Sequence, residues 1–288
     1  MPFRPRRSVL YMPGANARAL EKAKAIPADC LILDLEDSVT PEEKEAARNR
    51  VAAAVAAGGY GRREVIIRIN GLFTPWGAED MKMAARASPD AVLVPKLNDA
   101  GDLAKATKAF LASGGGEGTH IWAMIETPLA IFNLREIAAT HEAHGLQCFV
   151  LGTNDLLKEM RASAQGARFA MVPALSMAVL AARAYGIDVI DGVYNDIKDE
   201  AGFRAECEQG RALGMDGKTL IHPDQVTTCN AIFLPSESEI AWAQKVVAAF
   251  KLPENSTKGV IKIDGRMVER LHLAMAERVM ALAEAVTS

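Results

Sequence analysis

Eight short apolar runs, each separated from the next by a longer Ala-rich stretch, dominate the first three quarters of this chain. They are Val9–Met12, Cys30–Leu35, Val65–Ile69, Ala91–Pro95, Ile121–Ile125, Phe149–Leu151, Asp188–Asp191 and Thr219–Ile221. Each is shorter than a typical helix and apolar at successive positions, so each reads as a strand buried on both faces. Strands of that kind belong to parallel sheets, whose crossovers are helices. Eight such units predict an α/β fold, a closed (β/α)8 TIM barrel in preference to an open doubly wound sheet. The chain has 288 residues, half of them hydrophobic, enough for one barrel with its own core and some chain left over.

The surplus lies at the carboxyl end. After Pro223 the strand–helix alternation stops, and helical patterns run to about Phe250 before Leu252-Pro253-Glu254-Asn255-Ser256 interrupts them. A short strand-like Val260–Ile263 and a final helix from Met267 onward complete the sequence. The expected division is therefore a barrel over residues 1–224 and a C-terminal helical extension over residues 225–288. Between these landmarks, Thr40-Pro41-Glu42-Glu43 reads as a helix start with an N-cap and Pro in the first turn, and Gly58-Gly59 as its stop.

Charge and cysteine usage narrow the functional classes. A formal net charge of -3, with acids and bases interspersed, does not provide the basic face that nucleic acids require. The four cysteines, Cys30, Cys148, Cys207 and Cys229, are scattered without a CxxC pair, which speaks for free thiols in a reducing compartment and against structural zinc. The apolar run after the arginines near the amino terminus, Val9–Met12, is cut short by Pro13-Gly14, so no secretory signal is expected. The apolar stretch from Phe169 to Ile190 is broken by Pro173, Arg183 and Asp188, and reads as a helix running into a strand. A cytoplasmic protein that does not enter membranes is the expectation. Gly217-Lys218-Thr219 ends like a P-loop, but Ala212 stands where its first glycine belongs.

In a parallel barrel the chemistry sits beyond the carboxyl ends of the strands. Asp34-Leu35-Glu36-Asp37, Arg68, Lys96, Glu126, Asp155, Asp191 and His222 all follow strands here. Glu126 and Asp155, with neither His nor Cys beside them, are oxygen ligands of the type that Mg²⁺ prefers. Arg68 could serve a substrate carboxylate through planar two-point donation, and Asp37 is a further candidate substrate contact. Each has a plainer reading. Glu126 could pair with Lys96, Asp155 could cap a helix, Arg68 could serve as a structural partner of a carboxylate, His222 could be packed, and the acids after strand two could form a solvated rim. One shared site accounts for all of them together. Its chemistry suits a small 2-oxo acid chelated by Mg²⁺, with the metal polarising the carbonyl. Lys96 as a Schiff-base lysine is the competing route.

These same residues carry a resemblance. Arg-Ser-Val-Leu-Tyr-Met-Pro-Gly (7–14), Leu-Asp-Leu-Glu-Asp-Ser (33–38), Arg-Ile-Asn-Gly (68–71), Ile-Glu-Thr (125–127) and Leu-Gly-Thr-Asn-Asp-Leu (151–156) resemble the citrate lyase β-subunit-like branch of the HpcH/HpaI aldolases, which includes malyl-CoA and citramalyl-CoA lyases. The resemblance continues through Asp191-Gly192 and Ile221-His222-Pro223. It implies that Glu126 and Asp155 bind Mg²⁺ and that Arg68 and Glu126 contact the oxo acid. It implies a coenzyme A thioester as co-substrate, with Arg18 and Lys22 near its phosphates, and a homotrimer or hexamer. The activity implied is carbon–carbon cleavage, or formation, of a short 3-hydroxyacyl-CoA. Alternatives are a citrate lyase subunit acting on an acyl-carrier thioester, an aldolase without CoA, and a malyl-CoA thioesterase. Glu269 stands where the branch carries an Asp in its C-terminal cover; it is the candidate acid–base residue, one methylene longer than the pattern.

Overall fold

The computed structural model describes residues 3–287, in two compact units. The larger, Arg6–Asn230, contains strands β1 (Ser8–Pro13), β2 (Cys30–Asp34), β3 (Glu64–Arg68), β4 (Ala91–Val94), β5 (His120–Ile125), β6 (Leu146–Leu151), β7 (Asp188–Asp191) and β8 (Gly217–Leu220). They close in sequence order into one barrel. All neighbours run parallel, and β8 returns to β1 with Val9 opposite Thr219. All eight expected strands are present. The largest adjustment is in β6, which starts three residues before Phe149.

Strand parity determines what fills the barrel. Val9, Cys30, Ile32, Ile66, Leu93, Trp122, Met124, Val150 and Ile190 form the interior cluster, and period-two alternation carries the same face upward to Tyr11, Asp34, Arg68 and Glu126. Below the apolar layer, Arg6 plugs the other end. Its Nε and Nη2 donate to Glu64 at 2.8 and 2.7 Å, its Nη1 donates to Asp188 at 2.9 Å, and its guanidinium stacks 4.8 Å from the Trp122 ring centre. The two ends of the barrel thus hold separate polar clusters, with the stabilising one at the amino-terminal end of the strands.

The helices between strands start and stop largely on local signals. The Asp199 side chain accepts from the Gly202 N–H, and Gly214, with φ of 95°, ends the same helix. Thr40 departs from expectation. It makes no side-chain cap, and Pro41–Glu43 forms a 3-10 turn before the helix Lys44–Ala57. The stretch from Phe169 does resolve into a helix, Val172–Ala184, leading to β7. All four cysteines are buried thiols outside any disulfide. Among the described residues no helix is long and apolar enough to cross a membrane.

The second unit comprises residues 231–287 with the described residues before Arg6. Helices Glu237–Lys251 and Arg270–Thr287 sandwich a small core of Ala243, Val246, Phe250, Ile261, Val268 and Ala276. The first of these helices opens with a complete capping box between Ser236 and Glu239. The expected helix start at Met267 is incorrect. Arg266–Glu269 is strand β10, paired antiparallel with β9 (Val260–Ile263) across Asp264-Gly265. Those two residues have φ of 48° and 79°, the paired left-handed geometry that Asp-Gly adopts in a two-residue hairpin loop.

Candidate active site

Asp34 and Arg68 are register partners on β2 and β3, so a carboxylate and a guanidinium meet side by side at the top of the barrel. Arg68 Nε and Nη2 donate to Asp34 Oδ1 and Oδ2 at 2.6 and 2.8 Å. Tyr11 from β1 lies beneath, its ring centre 4.8 Å from the guanidinium. Burial works against the charge on Arg68, but the neighbouring groups, Asp34 foremost and Glu36 with it, hold its pKa well above the ordinary value. Two-point donation by Arg68 is therefore directed at Asp34. The donor left toward solvent is Nη1, which contacts Asp37 Oδ2 at 3.1 Å and lies 2.9 Å from Glu36 Oε2. The Glu36 contact lacks the alignment of a hydrogen bond, since that oxygen is buried without a partner by angle.

Glu126 follows β5 and is 1% exposed. Its Oε1 accepts the Lys96 N–H at 2.7 Å, and its Oε2 lies 3.2 Å from the Lys96 ammonium. The same ammonium donates to Asp155 Oδ2. Asp155 is not a cap. The helix Thr153–Met160 has Gly152 at its N-cap position, and Asp155 sits in its first turn, where the helix dipole favours a carboxylate. Gly152 is required by contact: a Cβ there would lie 2.4 Å from Glu126 Cβ and 2.8 Å from its Oε2. The plain pairing of Glu126 with Lys96 thus exists, and it coexists with the shared site.

These groups surround a cavity of about 300 Å³, lined by Tyr11, Arg68, Asp37, Glu126, Asp155 and, on its apolar side, Met124, Leu151, Val193 and Ile221. Carboxylates outnumber cations along it. Burial raises Glu126 to about 7, with Lys96 opposing and the hydrogen bond to Asp155 adding to the rise. Burial likewise raises Glu36 to about 8, Arg68 opposing and Asp37 and Glu126 adding. Asp155 moves the other way: burial pushes it up, but the hydrogen bonds from Lys96 and with Glu126 hold it below its usual value.

The donor set suits a hard divalent cation. Among the described residues there is no cluster of three or more metal-ligating His, Cys, Asp or Glu side chains. Mg²⁺, however, needs only one or two carboxylates, with water and substrate oxygens completing its shell. Glu126 and Asp155 already converge on a single cation, the Lys96 ammonium, so their oxygens are spaced to share one.

Of the residues expected from sequence, Arg68, Asp37, Glu126 and Asp155 come together around this cavity. Arg18 and Lys22 are exposed on the helix Ala17–Lys22 that follows β1. Glu269 lies in the second unit, at the end of β10, with its N–H donated to His272 Nδ1 at 2.9 Å. His222 is a local partner only, its Nδ1 accepting from the Asp224 N–H. Asp191 is fully buried and bound by Arg168 and Lys218. Sequence reading missed Tyr11 and the central place of Lys96. Parity along β1 could have found Tyr11, two residues beyond Val9 on the inward face.

A family model described as HpcH/HpaI aldolase/citrate lyase matches residues 7–223. The chain is 46% identical over 284 residues to a (3S)-malyl-CoA thioesterase of Cereibacter sphaeroides, covering 99% of this chain and 96% of that protein. It is 36% identical over 286 residues to the citrate lyase subunit beta of Escherichia coli, covering 98% and 94%. Among solved structures, the CitE protein of Mycobacterium tuberculosis in complex with magnesium, acetoacetate and coenzyme A matches with a TM-score of 0.75 at 28% identity, over 98% of each chain.

Proposed function

The chain belongs to the HpcH/HpaI aldolase/citrate lyase family, and from that premise we propose that it is a Mg²⁺-dependent carbon–carbon lyase acting on a short 3-hydroxyacyl-CoA such as malyl-CoA. The observation that carries this reading is the convergence of Arg68, Glu126 and Asp155 on one cavity. Glu126 and Asp155 would hold the metal, whose contribution is to polarise the substrate oxygen that becomes, or was, the 2-oxo carbonyl. Arg68, fixed edge-on by Asp34, turns Nη1 to the substrate carboxylate and exchanges its contact with Asp37 for that of the substrate. Met124, Leu151, Val193 and Ile221 exclude water from the reacting carbons. Arg18 and Lys22 take the CoA phosphates. Cleavage breaks the bond between the hydroxyl-bearing carbon and the carbon next to the thioester; the hydroxyl gives up its proton as its carbon becomes the 2-oxo carbonyl, and the departing enolate gains one proton on carbon.

Glu269 is the residue proposed to deliver that proton. Glu269→Gln should reduce turnover about 10²-fold or more, the scale of a lost general acid, while Mg²⁺ and oxo-acid binding persist by calorimetry. Wild-type turnover in this variant would move the role to another group. Glu269→Asp should raise activity on malyl-CoA by restoring the shorter reach. The assembly that accompanies this reading is a cytoplasmic homotrimer or hexamer, and light scattering that returns a monomer would remove the oligomer from it.

Hydrolysis of the thioester is the second reading, favoured by the 46% identity to a (3S)-malyl-CoA thioesterase across nearly the full length of both chains. One assay separates the two. With malyl-CoA and Mg²⁺, cleavage releases glyoxylate, captured as a hydrazone, and no free thiol; hydrolysis releases CoA thiol and malate. A thiol signal without glyoxylate would replace the lyase reading, and neither product across malyl-, citramalyl- and citryl-CoA would remove both.

The raised carboxylates set a pH dependence. In metal-free protein Glu126 and Glu36 keep their protons to about 7 and about 8, whereas the unfolded chain releases them near the ordinary Glu value of about 4.3. Between those limits the folded state binds more protons, so stability falls as pH rises through that window. The melting temperature in chelator should therefore drop from pH 5.5 to pH 8, and the gain on adding Mg²⁺ should be larger at pH 8. A melting temperature that climbs across this range in chelator would contradict the assignment.

A further inference from the structure

The least ordinary backbone at the site belongs to Lys96. It follows β4, whose last residue is Val94, and it adopts φ of 56°, a left-handed conformation that a side chain with Cβ rarely takes. Such strain persists where the surroundings over-determine it. Here the turn lets one residue address Glu126 twice. Its N–H meets Oε1 at 2.7 Å, and its side chain doubles back to place the ammonium 3.2 Å from Oε2. The ammonium also reaches Asp155 across the mouth of the cavity. It therefore occupies the point where one cation contacts both carboxyl groups.

A dication bound by Glu126 and Asp155 cannot share that point with an ammonium, because the two repel at contact distance in a partly buried site. The side chain has somewhere to go. On the flank of the barrel mouth lies a second cavity of about 420 Å³, which Lys96 itself lines with Leu72, Phe73, Leu97 and Asp102. The Asp102 carboxylate in it is held by the Asn98 N–H at 3.2 Å and by Lys105 at 3.0 Å, and offers a countercharge to a relocated ammonium.

We propose that Lys96 is the resident cation of the metal-free site, holding Glu126 and Asp155 together until a divalent cation displaces its ammonium into the flanking cavity. This rests on the reading of Glu126 and Asp155 as the metal ligands. Lys96 is a positioning residue in this scheme: it keeps two carboxylates from repelling each other apart, and its release is a cost set against metal affinity. The arrangement makes metal affinity weaker than the ligands alone would give, and makes the empty site more stable than two bare carboxylates would be.

Calorimetric titration of Mg²⁺ into chelator-treated full-length protein tests this without reference to turnover. Lys96→Met removes the ammonium and keeps the apolar stem. It should bind Mg²⁺ about tenfold more tightly or better, and melt at a lower temperature than wild type in chelator. Lys96→Gly also removes the charge and accepts the left-handed backbone freely, so it should show the same tightening even if Met is poorly tolerated at this φ. Equal or weaker affinity in the folded variants, with normal Mg²⁺ binding by wild type, would overturn the proposal and leave the metal site standing. Failure of wild type and variants alike to bind Mg²⁺ would instead remove the metal reading on which it rests.

Discussion

Glu126→Gln is expected to lower turnover by about 10³-fold or more, the scale on which preorganised charge acts in a site that excludes water, while the protein remains folded. Gln is the informative substitution. Glu126 is 1% exposed, and packed so closely that Gly152 admits no Cβ beside it. Ala would open a cavity and orphan the Lys96 N–H, mixing a stability loss with the catalytic one. Gln keeps the volume and the oxygen that accepts the Lys96 N–H at 2.7 Å, while it removes the negative charge and puts an amide NH2 where Oε2 faces the Lys96 ammonium. Steady-state assays at saturating Mg²⁺ should show the loss in kcat as well as in kcat/KM, with an unchanged circular dichroism spectrum. A variant within about tenfold of wild type would mean that Glu126 neither holds the metal nor touches the reacting atoms. Arg68→Lys tests the neighbouring contact less cleanly, because it also breaks a buried bidentate pair with Asp34.

The barrel was legible in the sequence because its determinants are local. A strand such as Cys30–Asp34, buried at every position, cannot lie on a surface, and eight of them with helical crossovers leave few arrangements. The site was legible for the same reason. Parity sends Asp34, Arg68 and Glu126 inward one step above Ile32, Ile66 and Met124, so strand ends predict a cluster before any contact is seen. What escaped depends on pairs distant in sequence or on unusual backbone. Nothing local marks Lys96 as left-handed, since its conformation is imposed by Glu126, 30 positions on. The two-point edge of Arg68 is taken by Asp34, which is 1% exposed, a pairing set by the register of β2 on β3 and not by local sequence. The hairpin of β9 and β10 was missed for a different reason. Its Asp264-Gly265 signal was present, but the Met and Val that follow it fit a helix face as well as a strand.

Among the strand-end acids Asp191 has a task of its own, and removing it carries a large expected effect. It is fully buried, as is Lys218. Its Oδ1 accepts from Arg168 Nη1 and from the Gly192 N–H, both at 2.8 Å, and its Oδ2 lies 3.3 Å from the Lys218 ammonium. Arg168 reaches this pair from a left-handed residue, φ 57°, at the end of the short helix Gln165–Arg168 that follows the Asp155 helix. Glu206 completes the cluster, 2.6 Å from Lys218 and 3.3 Å from Arg168. Asp191→Ala leaves two buried cations with one carboxylate, and breaking a buried pair in this way costs about 3–5 kcal/mol. Exposed pairs such as Lys82–Glu79 or Lys245–Asp264 are screened by water, and their removal should leave stability nearly unchanged. Lys218→Met in the Asp191→Ala background removes one orphaned cation, so the double variant should be less destabilised than the sum of the single losses. The damage should also reach the site. Gly192 packs directly against Thr153, which opens the Asp155 helix, and Asn154 and Asn195 exchange amide hydrogen bonds at 3.2 and 2.8 Å across the same seam. Denaturant melts of the four proteins, with Mg²⁺ affinity measured on each, would decide the matter: strict additivity would dissolve the network, and unaltered Mg²⁺ binding in Asp191→Ala would separate it from Asp155.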